Sequence, residues 1–153
     1  MADAVTIRPA RVDELGRFAR MRALMAEEAR SAWDREYPGW RERYAAYFAD
    51  KQSAGDGQVF FAVRGDDVVG VAAFSVTDEY RAQALGTPRG WVNSVFVLPE
   101  LRRQGVARRL MEAGIAWLRA RGCVKVRLRT SDEGEPLYRS LGFVAGREME
   151  MDL

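Results

Sequence analysis

The chain has 153 residues, 48% of them hydrophobic, which suits one folded unit with a real core, so residues 1–153 read as a single domain. It contains no histidine and one cysteine, which excludes disulfide scaffolding, Ser-His-Asp and Cys-His catalysis and most transition-metal sites. The net charge of +2 balances 24 basic against 22 acidic residues, unlike the basic excess of a nucleic-acid binder.

No segment approaches the roughly 20 consecutive apolar residues of a membrane span. Residues 1–10 lack the cationic start and apolar run of a leader, so a cytoplasmic protein without membrane contact is expected. Along the chain, residues 4–8 read as a strand ended by Pro9. A helical stripe follows through Leu15, Phe18, Met21, Leu24 and Met25. Residues 34–52 carry Tyr37, Trp40, Tyr44, Tyr47 and Phe48, and Pro38-Gly39 places the start of that helix near Trp40. With Trp33, these aromatics suit either core packing or the wall of an amine-binding pocket.

Residues 59–63 and 68–76 read as a hairpin around Arg64-Gly65-Asp66-Asp67. Residues 80–90 lose all periodicity and read as a substrate-facing loop before a strand over 91–98. From 105 to 121 the apolar positions Val106, Leu110, Ala113, Gly114, Trp117 and Leu118 fall at helical period, with Gly122 as cap. Val124, Val126 and Leu128 alternate in another strand, Pro136 opens a short helix that Gly142 ends, and a final strand or two covers 143–153. The order βααβββαβαβ predicts one mixed α/β sheet flanked by helices. Cys123, with no histidine to activate it, reads as a small buried hydrophobe.

The segment Val95-Phe96-Val97-Leu98-Pro99-Glu100-Leu101-Arg102-Arg103-Gln104-Gly105-Val106-Ala107-Arg108 runs from a strand through a basic loop into a helix. The first N–H groups of a helix lack partners and carry partial positive charge, so this junction predicts a phosphate site. Gly105 and Ala107 keep bulk away from the backbone there, while Arg102, Arg103, Arg108 and Arg109 add attraction. Neither a Walker loop nor a GxGxxG fingerprint occurs.

This segment resembles the GCN5-related N-acetyltransferase (GNAT) superfamily, whose R/Q-x-x-G-x-G/A loop matches Arg102-x-x-Gly105-x-Ala107. Downstream, Pro136-Leu137-Tyr138-Arg139-Ser140-Leu141-Gly142-Phe143 is similar to the family's terminal PLYxxLGF segment. The resemblance implies an acyl-CoA N-acyltransferase fold, with a mostly antiparallel central sheet splayed at the cofactor site. It implies acetyl-coenzyme A as co-substrate and no metal, with Val95, Phe96 and Val97 addressing the pantetheine arm. Arg102, Arg103, Gln104, Gly105, Val106, Ala107 and Arg108 would form the pyrophosphate loop. An N–H near Val95 or Phe96 would steady the oxyanion, and Tyr138 would protonate the departing thiolate, as a phenol with a pKa near 10 can do at neutral pH.

Many relatives carry a glutamate base on the strand where this chain has Asn93 and Ser94, and an amide cannot take a proton. Glu28, Glu27, Glu79, Asp132 and a water relay are the alternatives. Glu28 is favoured, because helical spacing from Met21 and Met25 places it on the apolar face of its helix. The implied reaction acetylates a primary amine of a small molecule or peptide. A non-catalytic acyl-CoA sensor or interaction module of the same fold is the alternative, and a homodimer is the commonest assembly of such proteins.

Overall fold

The computed structural model describes residues 4–153, so the first three residues of the stretch read above as leaderless lie outside it. Strand β1 (Val5–Pro9) leads through a 3₁₀ turn into α1 (Leu15–Glu28). The turn is held by Glu14, whose carboxylate accepts from both terminal nitrogens of Arg8 at 2.8 and 2.7 Å and from the Arg11 N–H at 2.9 Å. These donors, Arg8 first, hold the Glu14 carboxyl down at about 2. A four-residue helix α2 (Trp33–Glu36), not expected from the sequence, precedes α3 (Trp40–Ser53).

Strands β2 (Gly57–Arg64) and β3 (Asp67–Thr77) form the expected hairpin, with Arg64 opposite Asp67 across a two-residue loop. Gly65, first in that loop, takes the positive φ of 60° that such a turn demands. Then come β4 (Arg89–Val97), α4 (Val106–Ala120), β5 (Val126–Arg127) and α5 (Glu135–Ser140). The sheet order is β1-β2-β3-β4-β5, antiparallel throughout except for the parallel pair β4–β5.

Alternation along β2 sorts the core into two layers. Phe60 and Ala62 face α4 with Phe74, Val92, Leu110 and Met111, whereas Val59 and Phe61 face α1 and α3 with Leu15, Phe18 and Phe48. Helix α4 lies very close to the sheet: a Cβ at Gly114 would stand 1.9 Å from Phe74 Cζ, and one at Gly90 would stand 2.6 Å from Leu118 Cδ1. No helix among the described residues is long and apolar enough to cross a membrane.

Three sequence expectations are corrected. The strand expected over 124–128 is two residues long, and residues 143–153 form no strand. The cause is shared, because a two-residue β5 offers almost no ladder to a further strand. The tail is instead tied by ion pairs, Arg127 to Glu148 at 2.9 Å and Arg129 to Glu150, with Met149 and Met151 turned to solvent. Third, Glu28 is exposed, because the last turn of α1 runs past the face that the sheet covers.

Gly114→Ala is expected to cost about 1–3 kcal/mol in urea unfolding, since Phe74 or α4 must move. Gly16→Ala on α1, where a Cβ meets nothing within 4 Å, is expected to gain about 0.4–1 kcal/mol.

Candidate active site

The site begins where β4 loses its neighbour. Strand β5 pairs with β4 only at Gly90 and Trp91, while β4 continues to Val97. On its other side β4 stays paired with β3, except at Asn93: Val92 lies opposite Phe74 and Ser94 opposite Ala73, so Asn93 forms a bulge. The Leu98 N–H donates to the Val69 carbonyl at 2.9 Å. Counting back by twos, the backbone groups of Phe96 and Ser94 face β3, and those of Val95 and Val97 face the open edge. In agreement, the Val97 carbonyl accepts from Arg102 Nε at 3.0 Å. Of the two oxyanion donors considered from sequence, the Val95 N–H is therefore the one facing the opening.

The bulge also reverses the strand's faces. Val92 lies in the α4 layer, Phe96 in the α1–α3 layer, and Val95 packs against the α4 side. The single inserted residue thereby turns Ser94 toward α1 and α3.

Beyond Val97 a 3₁₀ turn over Pro99–Leu101 leads to two left-handed residues, Arg103 at φ 59° and Gly105 at φ 81°, before α4 starts. Alternating hand curls the chain so that successive N–H groups converge, making an anion-binding concavity at a helix N-terminus. No side chain caps that end of α4. A Cβ at Gly105 would meet no protein atom within 4 Å, so the backbone angle is what calls for glycine.

The loop's side chains are less available than the sequence suggests. Arg102 grips both Glu28 oxygens at 2.7 and 2.6 Å, and its guanidinium lies 5.5 Å from the Phe96 ring centre. Arg109 donates to the Val5 carbonyl at 2.9 Å, Arg108 to the Ser140 hydroxyl, and the Gln104 amide to the Glu100 carbonyl at 3.1 Å. Arg103 is exposed and has no side-chain partner among the described residues. What the 103–108 loop presents is therefore mainly its main chain, with Arg103 the one unengaged cation among these arginines.

Tyr138 sits on α5, its ring 5.9 Å from that of Phe143, and it packs on the apolar layer that Val95 also touches. Burial pushes its phenol above the usual value, so it is a proton donor at neutral pH. The Arg108–Ser140 contact fastens α5 to the first turn of α4.

Among the carboxylates considered as bases, Glu28 is spoken for. Its hydrogen bonds from Arg102 hold its carboxyl below the usual carboxylate range. Glu79 is sealed: its side chain is 1% exposed, it pairs with Arg89, and it accepts the Tyr80 and Arg81 N–H groups at 2.9 and 3.1 Å. This pairing staples the two ends of the loop expected over 80–90. Glu27 and Asp132 are exposed. Glu133, not singled out from the sequence, adds its charge to the field on Arg102.

Trp40 and Phe48 are core residues, Tyr37 and Tyr47 are more than half exposed, and Trp33 stacks edge-on to Trp40 at 5.2 Å. Sequence reasoning missed the polar trio Arg22, Tyr44 and Ser94. Nothing in the sequence beyond the polar Asn93-Ser94 pair within the strand pointed to it. Burial raises the Cys123 thiol, which suits a packing role.

Glu28→Gln is expected to cost no more than about 1 kcal/mol at pH 7, because the pair with Arg102 is partly exposed. Since pairing lowers the carboxyl's pKa in the folded state, that difference exists above the ordinary carboxylate range and vanishes as pH falls through it. Urea unfolding of parent and variant at pH 7 and pH 3 measures both points.

Residues 25–143 match the model of the acetyltransferase (GNAT) family. The chain is 30% identical over 87 residues to an aminoglycoside N(6')-acetyltransferase type 1 of Salmonella typhimurium, a match covering 55% of this chain and 60% of that protein. Its fold is shared with a GCN5-related N-acetyltransferase from Ralstonia eutropha (TM-score 0.84, 22% identity, 98% of this chain and 99% of that one). It is also shared with a predicted acetyltransferase from Clostridium acetobutylicum solved with acetyl-CoA (TM-score 0.81, 20% identity, 97% and 96%). With the family model spanning the open strand edge, the glycine loop before α4 and the Tyr138 helix together, the chain belongs to the GNAT acetyltransferase family.

Proposed function

We propose that this protein moves the acetyl group of acetyl-coenzyme A to a primary amine of a small molecule or peptide. One observation carries the reading: an unpaired strand edge runs directly into a loop whose N–H groups converge at the uncapped start of a fifteen-residue helix. A ligand with a pyrophosphate at one end and an amide-bearing arm at the other fits both parts.

The converging N–H groups of 103–108 hold the pyrophosphate, helped by Arg103. The edge of β4 from Val95 to Val97 offers backbone donors and acceptors to the pantetheine amides, as an added strand would use them. Coenzyme A supplies an acetyl thioester, a good acyl donor with a thiolate leaving group. The Val95 N–H is placed to donate to the thioester carbonyl oxygen, and Tyr138 delivers its proton to the thiolate sulfur.

Arg102 acts by position. It ties the end of α1 to the end of β4, so the helices that shape the acceptor side move with the phosphate loop. Glu28 anchors Arg102 in this scheme and is not assigned the base. The proton lost by the amine leaves through water, with Glu27 and Asp132 as the exposed carboxylates among the alternatives. The aminoglycoside-modifying relative supports a small-molecule amine as acceptor.

Tyr138→Phe is expected to lower kcat by about 100-fold or more while the affinity for acetyl-coenzyme A changes less than about threefold. Thiol release measures the first and calorimetry the second. Equal turnover by variant and parent removes Tyr138 from the chemistry. Tight acetyl-coenzyme A binding by the parent, with no thiol released in the presence of a broad amine panel, makes the protein an acyl-CoA sensor instead.

A further inference from the structure

Arg22 on α1, Tyr44 on α3 and Ser94 on β4 meet behind the bulge at Asn93. Ser94 is 6% exposed, and neither its hydroxyl nor the buried Nε of Arg22 makes a well-formed hydrogen bond. The Tyr44 hydroxyl lies beside both. Arg22 forms no ion pair with any carboxylate among the described residues. Its guanidinium instead lies 5.1 Å from the Trp33 ring centre, with one terminal nitrogen against the Met25 sulfur.

This grouping is short of acceptors. The two hydroxyls can serve one another, but a guanidinium only donates and never loses its charge. Burial also keeps Tyr44 protonated at neutral pH, since it raises the phenol's pKa and Arg22 offsets only part of that. A half-buried cation with no counter-charge loses hydration that an anion beside it would offset. A carboxylate satisfies the site best, because its two oxygens match the planar guanidinium fork and leave lone pairs for the hydroxyls.

The place of this site sets the rest of the ligand. Ser94 immediately precedes Val95, whose N–H faces the open edge, and neighbouring Cα atoms lie about 3.8 Å apart. Any carboxylate held at Ser94 is therefore within a few ångströms of the amine that meets the thioester. Resting on the acetyltransferase reading above, we infer that Arg22, Tyr44 and Ser94 form a carboxylate subsite and that the acceptor is a free amino acid. A polycationic aminoglycoside has no carboxylate to offer and would be repelled by Arg22.

The test is calorimetric titration of the coenzyme A-loaded protein with each of the twenty amino acids, its α-carboxamide, and kanamycin. The parent is expected to bind at least one amino acid ten or more times tighter than the matching amide. Arg22→Gln and, independently, Ser94→Ala are expected to bring that ratio within about twofold of one, with coenzyme A affinity unchanged. The second variant serves if the first does not fold. Equal binding of acid and amide, binding of kanamycin alone, or no amino-acid binding overturns the inference. Acetyl transfer is then measured on the same compounds. Amino-acid binding without transfer contradicts the acetyltransferase reading and leaves the carboxylate subsite standing, whereas transfer to kanamycin alone does the reverse.

Discussion

Strand β4 is held on both sides at Gly90 and Trp91 and on one side only from Val92 onward, with Asn93 bulged out, and the rest of the site depends on that change. A central strand normally satisfies its backbone along its whole length, because buried N–H and C=O groups without partners are costly. Here the donors and acceptors of Val95 and Val97 are left facing an opening, and Arg102 answers one of them. The sheet tolerates the parting because its stability lies elsewhere. Two apolar layers clamp β2, β3 and β4, and α4 presses against β3 closely enough that only glycine fits at 114.

The bulge at Asn93 lets one strand serve two faces at once. Were the strand regular through Asn93, Ser94 would share the face of Val92 and point into the α4 layer, where Val92 and Leu110 leave no polar company. With it, Ser94 meets Arg22 and Tyr44 while Val95 keeps its backbone toward the opening. The open edge at Val95 and the polar grouping around Ser94 are thus neighbours in sequence. Arg102 joins them mechanically, since it reaches from β4 to the last residue of α1.

Much of the fold was legible in the sequence because its signals are local. The hairpin around Gly65, the helix from Val106 with glycines before and after it, and the start of α3 after Pro38-Gly39 each follow from turn chemistry and period. The turn into α4 was legible for the same reason, since Gly105 marks a left-handed residue there. The tail was not: residues 143–153 read as a final strand or two, but a strand also needs an edge, and a two-residue β5 does not provide one. The buried placement expected of Glu28 failed on tertiary grounds. Helical spacing placed it on the buried stripe, yet that stripe ends before the helix does, and its partner Arg102 is 74 residues away. The grouping of Arg22, Tyr44 and Ser94 needed three elements in register and left no pattern to read.

Calorimetric titration with acetyl-coenzyme A, comparing the parent with Gly105→Glu, tests the central claim most directly. Gly105 holds a left-handed angle, and a glutamate there adds negative charge where the N–H groups converge. With both proteins folded by circular dichroism, the account predicts saturable one-to-one binding by the parent and none by the variant. Equal binding by the two, or no binding by the folded parent, would contradict it.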